Sequence, residues 1–380
     1  MNKKKRRDRQ ADFEKELLLN PEKIAKERKR KKRTYLLCTL LGLLAVVGMG
    51  YASFQAVRAV GKANLKNQAI TAQPQMMQKE EEAPKEEEQV KWQEGWIRYQ
   101  GKVYAYNEDI RTFLFMGIDK NSEVKEVEEG TNGGQADALF LAVMNPHKES
   151  IQVIGINRNT IADIDVYNDQ GAYVDTIRAQ LAVQHGFGNG VEESCEYQVK
   201  AVSKFFYSLP IHGYAAINMS AIETLNDAVG GVDVTVLEDL TRIDASLVEG
   251  QQVHLQGKSA FWYVKYRDTS KFGSADLRLA RQKQYLNGFI GAAKKVAKQD
   301  ISVALKLYQA IAPMMTTNVS ADEVAYLAPI LVDYGFDQEE FYMVPGETVM
   351  GDQFEEFYAE EDALYEMILD IFYEEVAIEE

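Results

Sequence analysis

Three apolar runs decide the fold of this chain: TFLFM at 112–116, ALFLAVM at 138–144 and IQVIGI at 151–156. Nearly continuous apolar runs of this length are typical of strands that are buried on both faces. Helical patterns follow them, the longest at 277–297. Because helices cover both faces of such a sheet, the sequence predicts a three-layer α/β/α domain with a mixed central sheet.

The composition limits the class of protein. Of 380 residues, 46% are hydrophobic and 27% are charged, which excludes a fully disordered chain and a membrane protein with many spans. Two Cys and four His are too few for a zinc cluster or a disulfide framework. The formal net charge of −15 argues against a general nucleic-acid binder, so no nucleic acid is expected as a partner.

The N-terminal region carries the signals of a membrane anchor. Residues 1–33 contain fifteen Lys or Arg and six Asp or Glu, whereas residues 35–57 contain no charged side chain. Such a run is long enough to cross a bilayer as a helix, and the basic residues before it place the N-terminus in the cytoplasm. We therefore expect a basic cytoplasmic tail (1–34), one transmembrane helix (35–57) and an extracytoplasmic C-terminal domain. A cleaved signal peptide is the alternative, but the run is too long for one.

The rest of the chain divides by composition. Residues 58–91 include a strongly acidic run and predict a disordered tether. Aromatic residues alternate about a Gly turn at 92–106, which predicts a β-hairpin. Residues 107–300 hold the strand and helix patterns of the main domain, and 301–380 predict a helical extension of that domain.

Charged residues lie at the ends of the three apolar runs. Asp119 comes just after the first run, Asp137 just before the second and Arg158 just after the third. Loops at strand ends carry the ligands of open α/β sheets, and a charged group at the edge of a buried strand needs a partner. These residues are therefore candidate catalytic residues, although ordinary strand-end ion pairs would produce the same pattern.

A second cluster is basic. Arg278 and Arg281 are three apart on one face of a predicted helix, Gln282 adjoins them, and Lys265 and Arg267 precede them. Forked guanidinium groups suit phosphate oxygens, and two carboxylates near several arginines suggest a divalent metal that bridges a pyrophosphate. A structural network of salt bridges is the alternative.

Short segments spread over 107–290 resemble, in the same order, the motifs of the LytR–CpsA–Psr family of cell-wall glycopolymer ligases. The segments are FLFMGID (113–119), QADA (135–138), GINRNT (155–160), NM (218–219) with DAVGGVDV (227–234), LQGKSA (255–260), YVKYRD (263–268) and RLARQ (278–282). Each motif is weak alone, but their common order together with an N-terminal anchor is specific.

The resemblance implies an extracytoplasmic phosphotransferase. Such an enzyme takes a glycopolymer from a polyprenyl-pyrophosphate carrier and joins it to a peptidoglycan hydroxyl by a phosphodiester bond. Carried over by position, Asp119 and Asp137 would hold Mg²⁺, with Mn²⁺ as a substitute, and would act in catalysis together with Arg158. The residues that the resemblance assigns to the pyrophosphate are Arg158, Lys265, Arg267, Arg278, Arg281 and Gln282.

Three positions depart from the family pattern, namely Gln135, Asn159 and Lys265. They motivate one alternative, a non-catalytic binding or regulatory protein that holds prenyl-pyrophosphate lipids or wall polymer. A lipid pyrophosphatase with water as the acceptor is a further alternative. The resemblance also implies that the carrier's lipid tail needs an apolar channel inside the domain. The candidate lining residues are Phe140, Phe205, Phe206 and Phe261.

Overall fold

The structure, a computed structural model, describes residues 26, 29–30, 32–34, 52–65, 74–76, 92–127, 133–168, 170–336 and 338–376. The chain divides into two compact units, Met1–Ala59 and Val60–Glu380, and the candidate site lies in the second. Most of the predicted cytoplasmic tail (1–34) and of the predicted transmembrane helix (35–57) falls outside the described residues. None of the described helices is long and apolar enough to span a bilayer.

Short strands and longer helices make up the second unit. The strands are β1 (Ile97–Tyr99), β2 (Lys102–Tyr106), β3 (Arg111–Ile118), β4 (Ala136–Asn145), β5 (Ser150–Ile156), β6 (Ile161–Tyr167), β7 (Tyr173–Gln180), β8 (Gly213–Asn218), β9 (Val232–Thr235), β10 (Gln252–Leu255), β11 (Met315–Thr317), β12 (Phe341–Met343), β13 (Gly346–Met350), β14 (Glu355–Ala359) and β15 (Tyr373–Glu375). The helices are α1 (Glu192–Phe205), α2 (Ala221–Ala228), α3 (Lys258–Lys265), α4 (Ser274–Gln299), α5 (Ser302–Ile311), α6 (Ala321–Asp333) and α7 (Glu361–Phe372).

The three apolar runs form the centre of a six-stranded sheet. They correspond to β3, β4 and β5, which pair antiparallel in that order. β8 joins β3 in parallel, β12 joins β5 in parallel, and β11 pairs antiparallel with β8, so the sheet order is β11-β8-β3-β4-β5-β12. The prediction of an α/β fold with a mixed central sheet is confirmed.

Helices pack on both faces of this sheet, but not equally. One face, which we call the closed face, presents the fully buried side chains of Leu114, Leu139, Leu141 and Ile154, and it packs in one core with residues of α1 and α7. On the opposite face, which we call the open face, Phe140 of β4 packs with partly buried side chains of α4. The closed face therefore carries the main hydrophobic core.

The prediction of a helical extension at 301–380 is only partly right. The helices α5, α6 and α7 form there, and α6 begins with a capping box made by Ser320 and Glu323. Strands β11 to β15 also lie in this region, and β12 is an edge strand of the central sheet. These strands are three to five residues long, too short to show a strand period in the sequence. Backbone pairing with distant strands defines them.

The segment before the domain also differs in part from the prediction. β1 and β2 pair antiparallel, so the predicted hairpin forms, and β15 adds a third strand to it. Leu65 and Met76 lie within the predicted tether, yet Leu65 is buried beside Phe113, and Met76 packs against the closed-face core. A disordered tether is therefore wrong for these two residues, because each is an apolar side chain that the domain buries. The acidic run of the tether lies outside the described residues.

Candidate active site

The centre of the candidate site is Asp137. The antiparallel register of β4 and β5 pairs Leu139 with Ile156, and two residues further on this register sets Asp137 opposite Arg158. Arg158 Nη1 lies 2.7 Å from Asp137 Oδ1, and Arg278 Nη1, on α4, lies 2.9 Å from Asp137 Oδ2. The sheet and the first turns of α4 thus bring one carboxylate and two guanidinium groups together.

Gln135 connects Asp119 to this centre. Its backbone N–H donates to Asp119 Oδ1 at 2.9 Å, and its side-chain oxygen accepts a hydrogen bond from Arg158 Nη2. Gly134 precedes it with φ of +87°, and a Cβ there would lie 3.0 Å from Asp119 Oδ1, so this loop requires glycine. Asp119 itself is exposed at the end of β3.

A third arginine, Arg267, lies in the loop between α3 and α4. Its Nε donates to Ser274 Oγ at 3.0 Å, and its Nη2 lies 2.6 Å from Glu355 Oε2. The other carboxylate oxygen of Glu355 accepts the backbone N–H of Gly273 at 2.8 Å. Glu355 begins β14, so the C-terminal region contributes a buried acid that the sequence analysis missed. Nothing in the sequence separates Glu355 from the neighbouring Glu356.

The arginines form one electrostatic cluster. Burial lowers the pKa of Arg278, Asp137 opposes this shift, and the positive charges of Arg158 and Arg267 lower the pKa further. Arg158 and Arg267 are thus each close enough to Arg278 to repel its positive charge. Two carboxylates, those of Asp137 and Glu355, pair with them, so these five groups carry a surplus of positive charge. Such a surplus in a partly dehydrated site favours an anionic ligand.

Arg281 and Gln282 contact protein groups at the C-terminal end of α3 rather than Asp137. Arg281 is 1% exposed, its Nε lies 2.9 Å from Glu238 Oε1, and its two terminal nitrogens donate to the carbonyls of Tyr263 and Tyr266. Gln282 Nε2 donates to a third carbonyl near the same helix end, 3.1 Å away. The last carbonyls of a helix lack partners within the helix, and these side chains supply them for α3. Both residues are committed to protein groups.

Lys265 approaches the site from the Asp119 side. Its Nζ donates to Asn121 Oδ1 at 2.6 Å and lies 4.9 Å from the centroid of the Phe261 ring. Asn121 follows Asp119 by two residues, so Lys265 flanks the exposed carboxylate.

Asn159 is buried directly behind Arg158. Its backbone N–H donates to Asn157 Oδ1 at 2.8 Å, and its carbonyl accepts the backbone N–H of Phe357, on β14, at 3.0 Å. Asn157 Nδ2 in turn donates to Asp276 Oδ1 at 2.5 Å. Among the described residues, no group accepts a hydrogen bond from Asn159 Nδ2. The turn that carries Arg158 is therefore fixed through its backbone, and from two sides.

A buried histidine supports the loop that holds Gln135. His185 Nδ1–H donates a hydrogen bond to the carbonyl oxygen of Gly134 at 3.0 Å, and burial lowers the pKa of His185 to about 4. Cys195 Sγ lies 3.9 Å from His185 Nε2, and burial raises the pKa of the Cys195 thiol. Cys195 is thus a buried apolar neighbour of this histidine.

The open face exposes an aromatic side chain where a core residue would be expected. Phe115 lies in β3, with paired strands on both sides, and is 43% exposed. Its cross-strand neighbours Phe140 and Ala215 share this face. Of the candidate channel residues, Phe140 therefore lies on the open face, whereas Phe205 and Phe206 pack in the closed-face core. Phe261 is the ring beneath Lys265.

Curated relatives of the chain are teichoic acid transferases. Over 213 residues the chain is 26% identical to the polyisoprenyl-teichoic acid–peptidoglycan teichoic acid transferase TagU of Bacillus cereus (strain AH820). The aligned residues cover 56% of this chain and 62% of TagU. Over 263 residues it is 24% identical to the transferase TagV of Bacillus subtilis (strain 168), and the aligned residues cover 66% of this chain and 61% of TagV. The chain therefore matches about 60% of the length of these relatives.

Solved structures share the fold. A structure of TagT bound to LIIa-WTA has a TM-score of 0.51 and 20% identity and covers 70% of this chain and 90% of that one. A protein from Streptococcus agalactiae has a TM-score of 0.53 and 20% identity, with 69% and 86% of the two chains covered. The model of the LytR_cpsA_psr family matches residues 65–370, which is most of the chain. The chain therefore belongs to the LytR_cpsA_psr family.

Proposed function

We propose that the chain is an extracytoplasmic phosphotransferase that joins a glycopolymer from a polyprenyl-pyrophosphate carrier to a peptidoglycan hydroxyl through a phosphodiester bond. The observation that carries this proposal is the convergence of Arg158 and Arg278 on Asp137 at one end of the central sheet, with Arg267 close enough to Arg278 to lower its pKa. Family membership and the printed activities of TagU and TagV support it.

The chemistry of phosphoryl transfer fits this cluster. The reaction needs a positioned phosphate and neutralised charge more than a covalent nucleophile. Guanidinium groups bind phosphate oxygens through paired N–H donors and stay charged at every physiological pH. A pyrophosphate that enters would compete with Asp137 for Arg158 and Arg278 and would contact Arg267 from its free side. Charge that develops on the leaving phosphate would be stabilised by the same three groups.

The two acidic residues suit different roles. Both oxygens of Asp137 contact arginines, so this carboxylate orients the guanidinium groups. Asp119 is exposed, and of its two oxygens only Oδ1 has a hydrogen-bond partner among the described residues. Asp119 is therefore the better placed of the two to accept the proton of an acceptor hydroxyl.

Mg²⁺, or Mn²⁺ in its place, would be held by Asp119 and Asp137 together with phosphate oxygens. The described residues contain no group of three or more His, Cys, Asp or Glu arranged to hold a metal ion. Magnesium is commonly bound by one or two carboxylates plus substrate phosphates rather than by a complete protein cage. The two carboxylates fit an ion that arrives with the pyrophosphate, where it would neutralise charge on the transferred group.

The open face of the sheet suits the lipid tail. Phe115 exposes apolar surface in the middle of the sheet, and the facing helix α4 contributes the partly buried Leu286 and Ile290. Burial of apolar carbon yields roughly 0.8 kcal/mol per methylene group, so even a short stretch of prenyl chain would add to affinity. Arg278 lies on the same helix, so a pyrophosphate bound there would lie beside the start of this apolar surface.

A membrane anchor is part of this proposal. A single helix at 35–57 would hold the protein in the cell membrane, with the N-terminus in the cytoplasm and the catalytic domain outside. A lipid-linked donor would then reach the site without leaving the bilayer surface.

Transfer can be tested with the full-length chain in detergent, a polyprenyl-pyrophosphate-linked sugar, Mg²⁺ and peptidoglycan fragments. We expect a sugar-phosphate adduct of peptidoglycan by mass spectrometry, lost with EDTA and in Arg158→Ala but kept in Arg178→Ala, an exposed arginine that pairs with Asp163. A donor that binds while its sugar phosphate is never transferred would identify a binding protein instead. Release of free sugar phosphate, even with peptidoglycan in excess, would identify a pyrophosphatase.

A further inference from the structure

The hairpin of β13 and β14 contacts the arginine cluster at two points. Phe357 N–H donates to the carbonyl of Asn159, directly after Arg158, and Glu355 Oε2 lies 2.6 Å from Arg267 Nη2. The start of the hairpin's second strand is fixed from another side, because Gln180 Nε2 donates to the carbonyl of Glu355 at 2.8 Å. The hairpin is therefore held at the site by backbone contacts that do not depend on Arg267.

Glu355 is a buried acid with two charge-stabilising partners. It is 6% exposed, and its Oε1 accepts the N–H of Gly273, the residue that precedes α4. A carboxylate at a helix N-terminus is stabilised by the free N–H groups there. Burial of an unpaired carboxylate would be costly, and the Gly273 N–H together with the Arg267 guanidinium offsets this cost.

We propose that Glu355 is a positioning residue that fixes Arg267 for binding of the donor pyrophosphate. This inference rests on the proposed function. Ser274 occupies Nε of Arg267 and Glu355 occupies Nη2, whereas Nη1 has no hydrogen-bond partner among the described residues. Ser274 and the carboxylate thus fix the orientation of the Arg267 guanidinium and leave Nη1 to donate to a phosphate oxygen.

The reason for such support is entropic. A free arginine side chain samples many rotamers, and ordering it on binding reduces affinity. A guanidinium that is already held by Glu355 and Ser274 loses little further freedom when the phosphate arrives. Catalytic groups of this kind depend on the residues behind them for their geometry. The C-terminal hairpin therefore belongs to the active site, through an acid that touches no substrate.

The test measures binding of geranylgeranyl pyrophosphate to the full-length protein by titration calorimetry. We expect the dissociation constant to rise roughly tenfold in Arg267→Ala and in Glu355→Ala, and about threefold in Glu355→Gln, which keeps one oxygen for Gly273 or Arg267. The double variant Arg267→Ala/Glu355→Ala should bind no more weakly than Arg267→Ala alone, because Glu355 then has nothing to position. Glu356→Gln is the matched control: this neighbouring acid accepts the hydroxyl of Tyr358 and should leave affinity unchanged.

A purely structural role for Glu355 would give a different pattern. The losses from Arg267→Ala and Glu355→Ala would then add, or Glu355→Gln would match wild type, and either result overturns the positioning role while the proposed function stands. Tighter binding in Glu355→Gln would also overturn it, since the carboxylate would then oppose the ligand. If wild-type protein neither binds the probe nor transfers sugar phosphate, the proposed function fails and this inference with it. If Glu355→Ala does not fold, Glu355→Gln still tests the inference, because it preserves the side-chain volume.

Discussion

The two faces of the central sheet are built from the same strands but differ in how completely they are covered. On the closed face, Leu114, Leu139 and Leu141 are fully buried by α1 and α7. On the open face, Phe115 of the same strand as Leu114 is 43% exposed. A core residue and a half-exposed aromatic residue therefore alternate along β3. One face therefore supplies most of the hydrophobic core, whereas the other is the face on which we propose that the lipid tail binds.

The largest effect is expected at the charged end of the sheet, beside the open face. Arg158→Ala should lower the transfer rate about a thousandfold, or about 4 kcal/mol in activation free energy, because a phosphate loses one cationic donor. Unfolding free energy should change little, since Asp137 keeps its contact with Arg278. Initial rates of adduct formation and chemical unfolding measure the two quantities. A rate like that of Arg178→Ala would contradict the assignment.

On the closed face, Leu141→Ala should lower the free energy of unfolding by about 3 kcal/mol, because it leaves a cavity that tightly packed neighbours cannot fill. Guanidinium chloride unfolding followed by circular dichroism measures this loss. At temperatures where the variant remains folded, the affinity for geranylgeranyl pyrophosphate should match wild type. A loss below 1 kcal/mol would show that this face is not the main core.

Acid should weaken the closed face through His185. Its folded-state pKa is depressed to about 4 from 6.5, so the unfolded chain binds the extra proton between these values. Stability from this group is complete above pH 6.5 and is lost as the pH falls toward 4. Between pH 7.5 and pH 5, the free energy of unfolding of the His185→Gln variant should therefore fall by about 2 kcal/mol less than that of wild type. Equal losses in both proteins, measured by urea unfolding at each pH, would contradict a buried neutral histidine.

The smallest effect on stability is expected on the open face. Phe115→Ala should lower the free energy of unfolding by about 1 kcal/mol or less, because the ring already contacts water. Affinity for geranylgeranyl pyrophosphate should fall about tenfold, while affinity for inorganic pyrophosphate stays constant. A large fall in the free energy of unfolding with unchanged affinity for geranylgeranyl pyrophosphate would contradict the proposed lipid site. It would show that Phe115 acts as a core residue, like those of the closed face.

Part of the site follows from the sequence. Asp137 and Arg158 lie at the ends of two apolar runs, and antiparallel pairing of those runs is enough to bring them together. Arg278 and Arg281 carry the same local signal, yet Arg278 contacts Asp137 and Arg281 contacts Glu238. Spacing on a helix fixes a shared face but not the partner that each residue finds across it.

Local pattern determined the three central strands, the longest helix and the charged residues at the strand ends, because apolar periodicity reports burial directly. Tertiary structure alone decided that β11, β12 and β14 exist, that Glu355 rather than Glu356 faces Arg267, and that Phe115 is left partly uncovered. These features depend on contacts between segments far apart in the chain. The free energy of such contacts comes from pairing and burial in the folded state, and no short stretch of residues contains both partners.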